Sequence, residues 1–235
     1  MNPFLNIFPE ELKKTVHPLQ KLPYMTLVLL ALPVLISIGF ITNMAPQQNP
    51  FQILLVYGAA HWLVLGITIA LLKKKNLLNT VLLFPKPTLI HFEWSLVGFL
   101  IGSLVIIPLS FGCVQFLGLD VSGFQYNINT SMEMIILLTC LVATGPVVHE
   151  ILFRGLGLGI LISKGFSPQL SAFLMMLFFA GIHVPLVGLG GSVILFSWSI
   201  LVTGMRLEMN SHTAGFYMYL LTNICYFVIY PVFLM

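Results

Sequence analysis

Apolar residues follow one another along this chain in blocks of about twenty, and polar residues collect in the short gaps between blocks. A helix of ~20 apolar residues, rising 1.5 Å each, is what crossing a ~30 Å hydrocarbon layer requires. The blocks predict spans near 24–44, 52–72, 95–117, 133–153, 169–186, 190–205 and 213–234. The expected fold is all-α, a polytopic transmembrane helical bundle of about seven spans with a cytoplasmic N-terminus. Before the first span, Phe4, Leu5, Ile7 and Phe8 are followed by charge and proline, a pattern that suits a short interfacial helix.

Composition agrees with the pattern. Hydrophobic residues make up 58% of the chain and charged residues 7%, against about 25% charged in ordinary globular domains. The lipid bilayer is therefore the principal surrounding, and no segment remains for a soluble domain. The net charge of +3 is small and patchy, so it marks topology and not a nucleic-acid surface. Lys13, Lys14 and Lys21 precede the first span; Lys73, Lys74, Lys75 and Lys86 follow the second; Lys164 and Arg206 follow later ones. The positive-inside rule assigns the N-terminus and each basic gap to the cytoplasm. A compact chain of this kind fits a bacterial inner membrane. Cys113, Cys140 and Cys225 all fall within spans and read as small packing residues, not a disulfide set. The first apolar block has no cleavage pattern of small residues and is expected to stay as an anchor.

The block from Met132 to Lys164 is about thirty residues long, too long for one straight span. Gly145-Pro146 is the expected break, because proline lacks a donor and disfavours helix before it. A helix restarting at Pro146 would run to about Ser163. Glu150 would then stand about as far before the gap at Lys164 as His183 stands after Ser167-Pro168, roughly 20 Å deep on antiparallel helices.

Glu150 is the one acidic residue expected deep in a span, and Arg154 the one basic residue. They are four apart, a spacing that shares a helix face. Ionisable residues at such depth cost ~2.5–3.5 kcal/mol each on insertion scales and point to function. A structural Glu–Arg staple is the plainer alternative. His183 and His212 stand near the ends of the next two blocks, whereas His61 reads as a hydrogen-bonded packing residue. Gly155, Gly157 and Gly159, with Gly188, Gly190 and Gly191, read as close helix packing and a turn, since no strand precedes them.

Pro146-x-x-His149-Glu150-x-x-Phe153-Arg154-Gly155 resembles the first motif, Glu-Glu-x-x-x-Arg, of the CAAX-protease and bacteriocin-processing family of intramembrane proteases. Phe179-x-x-x-His183 resembles its second motif. His212, shortly after Thr203-Gly204, stands near the place of the third, His-x-x-x-Asn. The resemblance covers roughly residues 130 to 225 and divides the chain into an interfacial segment (1–22), N-terminal spans (23–130) and a CAAX-protease-like membrane core (131–235). His149 occupies the place of the first glutamate, and Phe216 that of the asparagine.

The resemblance implies an intramembrane endopeptidase acting on a membrane-proximal peptide. In that scheme Arg154 orients Glu150, Glu150 activates water, His183 assists, and His149 and His212 line the site. Zinc held by His183, His212 and His149 is a second arrangement, limited by the ~100° between neighbouring residues on a helix. Asn223, with Thr222 and Tyr219 beside it, is an alternative polar partner closer in depth to Glu150 than His212 is. A catalytically silent member serving as a binding, scaffold or immunity protein is the alternative from another class. A proton-coupled transporter would want paired broken helices in two halves, which the chain lacks.

Overall fold

The computed structural model of the protein describes residues 10–43, 50–121, 128 and 130–229, and these contain helices and no strand. The apolar cluster at Phe4 to Phe8 lies outside the described residues. The N-terminal segment enters as α1 (Glu10–Val16) and a 3-10 turn at His17–Lys21. It buries Leu12, Val16 and Leu19 completely or nearly so, each such burial being worth ~1.5–3 kcal/mol against exposure to water. Their seat is the end of a later helix, where a Cβ on Gly159 would collide with Leu19 at 2.5 Å. A bend of 105° then leads into α2 (Val28–Asn43).

The bundle continues with α3 (Pro50–Lys74), the short α4 (Leu78–Val81), and α5 (Leu89–Ile101), which runs through one π-helical turn into α6 (Ile107–Phe116). Next come α7 (Ser131–Leu137) and α8 (Leu158–Ser163), joined by the π-helical stretches Leu138–Ala143 and Gly145–Gly157. Thr130 starts α7 with a capping box: its hydroxyl accepts from the Glu133 amide at 3.2 Å, and the Glu133 carboxylate accepts from the Thr130 amide at 2.9 Å.

Residues Ser131–Ser163 form one continuous helix of 33 residues, so the break expected at Gly145-Pro146 is not there. Proline is disfavoured in an α-helix interior because its ring presses on the carbonyl four residues back. The wider π winding shifts the partner to five residues back and relieves that clash. Thr144 keeps helical angles (φ −60°, ψ −47°), and its hydroxyl donates to the Thr139 carbonyl at 3.0 Å.

The last large element, α9 (Pro168–Met209), is 42 residues long and has non-helical angles at Gly188 (φ 74°, ψ 173°). A positive φ of this kind suits glycine, and Pro185 removes a helical donor just before it. The chain reverses there. Lys164, just before α9, donates to the Gln20 carbonyl at 2.6 Å, and Asn210, just after it, donates to the Thr15 hydroxyl at 3.2 Å. Both ends therefore lie at the N-terminal segment, and Phe173 meets Phe196 across the two arms at 6.0 Å. These arms are the two spans expected over 169–186 and 190–205. α10 (Thr213–Ile224) and a π turn at Cys225–Ile229 complete the described chain. Among the described residues four helices are long and apolar enough to cross a membrane, or five with the bent pair at α1 and α2. Division of α9 and the shorter apolar stretch Thr213–Ile229 bring the helical segments to the seven expected.

Candidate functional site

The π-helical stretch places His149 and Glu150 side by side in sequence, less than a third of a turn apart, so they serve different neighbourhoods. Glu150 faces inward and is completely buried. Its Oε1 lies 3.8 Å from Arg154 Nε, and its Oε2 lies 3.6 Å from His212 Nδ1. Neither carboxylate oxygen has a hydrogen bond. Gly215 on α10 gives the carboxylate its room, since a Cβ there would come within 3.2 Å of Oε2. The Arg154 Nε also donates to the Thr203 hydroxyl at 3.4 Å, and its guanidinium stands 4.9 Å above the Phe179 ring.

His212 is held on its other side, where Nε2–H donates to the Val81 carbonyl at 3.0 Å while its own amide donates to the Leu83 carbonyl at 2.9 Å. A carbonyl only accepts, so Nε2 carries a proton. Ser211 takes part in a cap, accepting from the Thr213 amide at 3.0 Å. Arg206 is only 1% exposed and donates to the Asn210 carboxamide at 3.0 Å. It belongs to this buried cluster and not to the basic gap in which its position in the sequence placed it.

His149 faces a neighbouring side of the helix. Its Nδ1 is 2.9 Å from the Tyr219 hydroxyl and its Nε2 is 3.3 Å from the Tyr57 hydroxyl. One ring nitrogen donates and the other accepts, so the imidazole is locked between two phenols. Gly145 permits this, because a Cβ there would sit 2.9 Å from the Tyr219 hydroxyl. Two more imidazoles flank the ring edge-on, His61 at 5.2 Å and His183 at 5.4 Å between centroids. His61 Nδ1–H donates to the Tyr57 carbonyl, and His183 Nδ1–H donates to the Phe179 carbonyl, each at 2.7 Å. His61 is thus the hydrogen-bonded packing residue expected, and it also forms the back of the histidine cluster.

His149, His183, Tyr57, Tyr219, Thr222 and Asn223 contribute the polar wall of a cavity of about 540 Å³. Its remaining lining is apolar or aromatic, including Phe179, Leu195, Trp198 and Phe227. Among the described residues no Lys, Arg, Asp or Glu lines it, and Glu150, Arg154 and His212 are absent from its wall. Asn223 donates to the Leu141 and Val142 carbonyls at 3.4 and 3.3 Å, which orients its carboxamide.

The expected site residues therefore fall into two groups. Glu150, Arg154 and His212 come together, as do His149, His183, Phe179 and Asn223, but the expected opposition of Glu150 and His183 is not among the contacts formed. The zinc set of His183, His212 and His149 does not converge: His212 belongs to the carboxylate and His149 has both ring nitrogens taken. Among the described residues no group of three or more His, Cys, Asp or Glu side chains is placed to hold a metal ion. Tyr57, Trp198 and Arg206 escaped the sequence-based selection, and Tyr219 entered it only as a neighbour of Asn223. A signal for one of them was present: Tyr219-x-x-x-Asn223 has the spacing of His-x-x-x-Asn and a central position on α10, whereas His212 precedes that helix.

A polar site sunk among apolar helices, with His-Glu-x-x-x-Arg on one and Phe-x-x-x-His on the next, defines an integral membrane protein with an intramembrane site. Residues 131–225 match the family model described as Rce1-like, type II CAAX prenyl endopeptidase. The match begins at the first residue of α7 and ends one residue beyond α10, so it takes in Glu150, Arg154, His212, His149, His183 and Tyr219 but not Tyr57, His61, Val81 or Leu83. Comparison with curated proteins and with solved structures gave no match.

Proposed function

We propose that this protein binds an apolar, membrane-proximal peptide segment in the cavity beside His149 and does not cleave it by a glutamate-activated water. The family likeness supports a peptide as the occupant. One observation carries the departure from cleavage: both oxygens of Glu150 are buried against Arg154 and His212, outside the cavity wall. A general base must come within ~2.6–3.2 Å of the proton it takes, directly or through one water. Glu150 is not among the residues of that wall, and His149 stands where the family's first glutamate would be.

The cavity's own residues suit binding. Thr222 and Asn223 offer polar atoms to a peptide backbone, the aromatic and aliphatic walls take apolar side chains, and the Tyr57–His149–Tyr219 chain fixes the polar end. A scaffold or immunity role in a bacterial inner membrane fits such a site. The endopeptidase route, with Glu150 as base, Arg154 orienting it and His183 assisting, is the family's expectation. A second reading has a specific feature behind it: with Nδ1–H bonded to Phe179, the Nε2 of neutral His183 carries a lone pair and has no partner. An imidazole base in the cavity would serve hydrolysis without Glu150.

Turnover of fluorogenic membrane peptides by the detergent-purified protein separates these readings, with folding checked by the unfolding midpoint. The expected result is no cleavage by wild type, with or without chelator, and cleavage only by the double variant His149→Glu/Tyr219→His. Wild-type cleavage lost in Glu150→Gln overturns the binding reading in favour of the carboxylate. Cleavage lost in His183→Ala but kept in Glu150→Gln overturns it in favour of the imidazole.

A further inference from the structure

We infer that the cavity takes its ligand from the non-cytoplasmic side of the membrane, so that the peptide it binds is an apolar segment of an exported or outward-facing chain. This deepens the binding reading above and rests on it. The lysines of the chain all mark one end of the bundle. Lys13, Lys14 and Lys21 stand in the N-terminal segment, and Lys164 donates to the Gln20 carbonyl. Lys73, Lys74, Lys75 and Lys86 flank the strap that crosses the same end, where the Val81, Leu83 and Pro85 carbonyls accept from His212 and Thr213. The positive-inside rule makes that end cytoplasmic.

The cavity opens at the opposite end. Among its described lining residues only Val121 and Tyr226 are exposed, at 41% and 37%, whereas His149 and Trp198 are 2% and 4% exposed. Helix direction places the exposed pair far from the lysines. The helix formed by α5 and α6 runs from beside the strap to Phe116, shortly before Val121, and α10 runs from His212 to the π turn that holds Tyr226. The Gly188 turn meets them there, because the Gly190 amide donates to the Asp120 carbonyl at 2.8 Å. Val187 and Gly191, on either side of that turn, belong to the same wall. Toward the lysines the way is shut: every residue from Glu150 to Ile162 is buried, and Leu12 and Leu19 pack on the end of that helix. An entrance whose described wall carries no charged side chain admits an uncharged apolar segment, since an ion entering it would lose water without gaining a partner.

The test uses the full chain carrying Cys113→Ala, Cys140→Ala and Cys225→Ala, with either Val187→Cys at the mouth or Lys75→Cys at the lysine end. A maleimide on polyethylene glycol, which does not cross membranes, is added to spheroplasts and to inside-out vesicles. Val187→Cys should react only in spheroplasts and Lys75→Cys only in vesicles. Where Val187→Cys fails to fold, Val121→Cys, exposed at the same mouth, takes its place. The ligand probe is a capped apolar hexapeptide joined to a sulfonated dye that keeps it on the side of addition. In spheroplasts it should slow the reaction of Val187→Cys about tenfold at ten times its Kd. In vesicles, where permeant N-ethylmaleimide reads the same cysteine, it should change nothing. Protection in vesicles but not in spheroplasts overturns the inference, and so does reaction of Val187→Cys from the cytoplasmic side alone. Reaction from neither side overturns it too, by making the mouth open to lipid. Protection from neither side, with the labelling pattern as expected, sinks the binding reading itself.

Discussion

Two polar neighbourhoods lie on adjacent faces of the π-helical stretch, and they are built to opposite rules. Around Glu150 everything is charged or chargeable and sealed: Arg154, Arg206 and His212 surround one carboxylate, all at 2% exposure or less. Around His149 the polar groups are neutral and face a cavity. Adjacent residues in sequence thus divide into a sealed core between helices and the wall of a cavity. The lesson concerns depth: an ionisable residue within a span is a functional candidate, yet here the most deeply buried charge stands apart from the cavity.

The division predicts unequal consequences. Glu150→Leu should be the most damaging change, because it leaves Arg154 and Arg206 buried without their anion; removing one partner of a buried pair costs ~3–5 kcal/mol. Folded yield and the unfolding midpoint in detergent would both fall steeply. A Glu150→Leu protein that stays folded and loses only ligand binding would move Glu150 from the core to the site.

Gly145→Ala comes next. The added methyl meets the Tyr219 ring and hydroxyl at 2.9 Å, and overpacking of this kind costs ~1–3 kcal/mol. Since Tyr219 must shift away from His149, affinity for the cavity ligand should fall together with stability. Gly112→Ala, with open space around its Cβ, is the control that should change neither.

Much of this was legible in the chain. The apolar blocks gave the helices and the reversal of α9, because block length and Gly/Pro punctuation are local properties. The pairing of Glu150 with Arg154 was legible for the same reason, being a four-residue relation on one helix. What could not be read was which side of the helix each residue takes, since a π winding changes the angle per residue and leaves no pattern of its own. That is why Glu150 was expected opposite His183, and why Gly145-Pro146 was expected to break a helix that instead runs on. Arg206 was misassigned because the end of a block looks the same whether its last turn is at a surface or folded beneath α1. Tyr57 lies on α3, outside the residues that match the family model, and only packing brings it to His149.

The mildest change sharpens the comparison most, because it is made inside the neutral wall alone. Tyr219→Phe removes a 2.9 Å contact from a buried phenol, whereas Tyr57→Phe removes a 3.3 Å contact from a half-buried one. A buried hydrogen bond is worth ~0.5–1.5 kcal/mol, and a longer one near a cavity, where water can replace the lost group, less. Tyr219→Phe should therefore lower the unfolding midpoint measurably and Tyr57→Phe by a few tenths of a kcal/mol at most. Neither should reproduce any part of the Glu150→Leu collapse, since no charge is uncovered. If Tyr57→Phe instead proves as costly as Glu150→Leu, His149 and Glu150 share one network through the helix, and the two neighbourhoods are a single site.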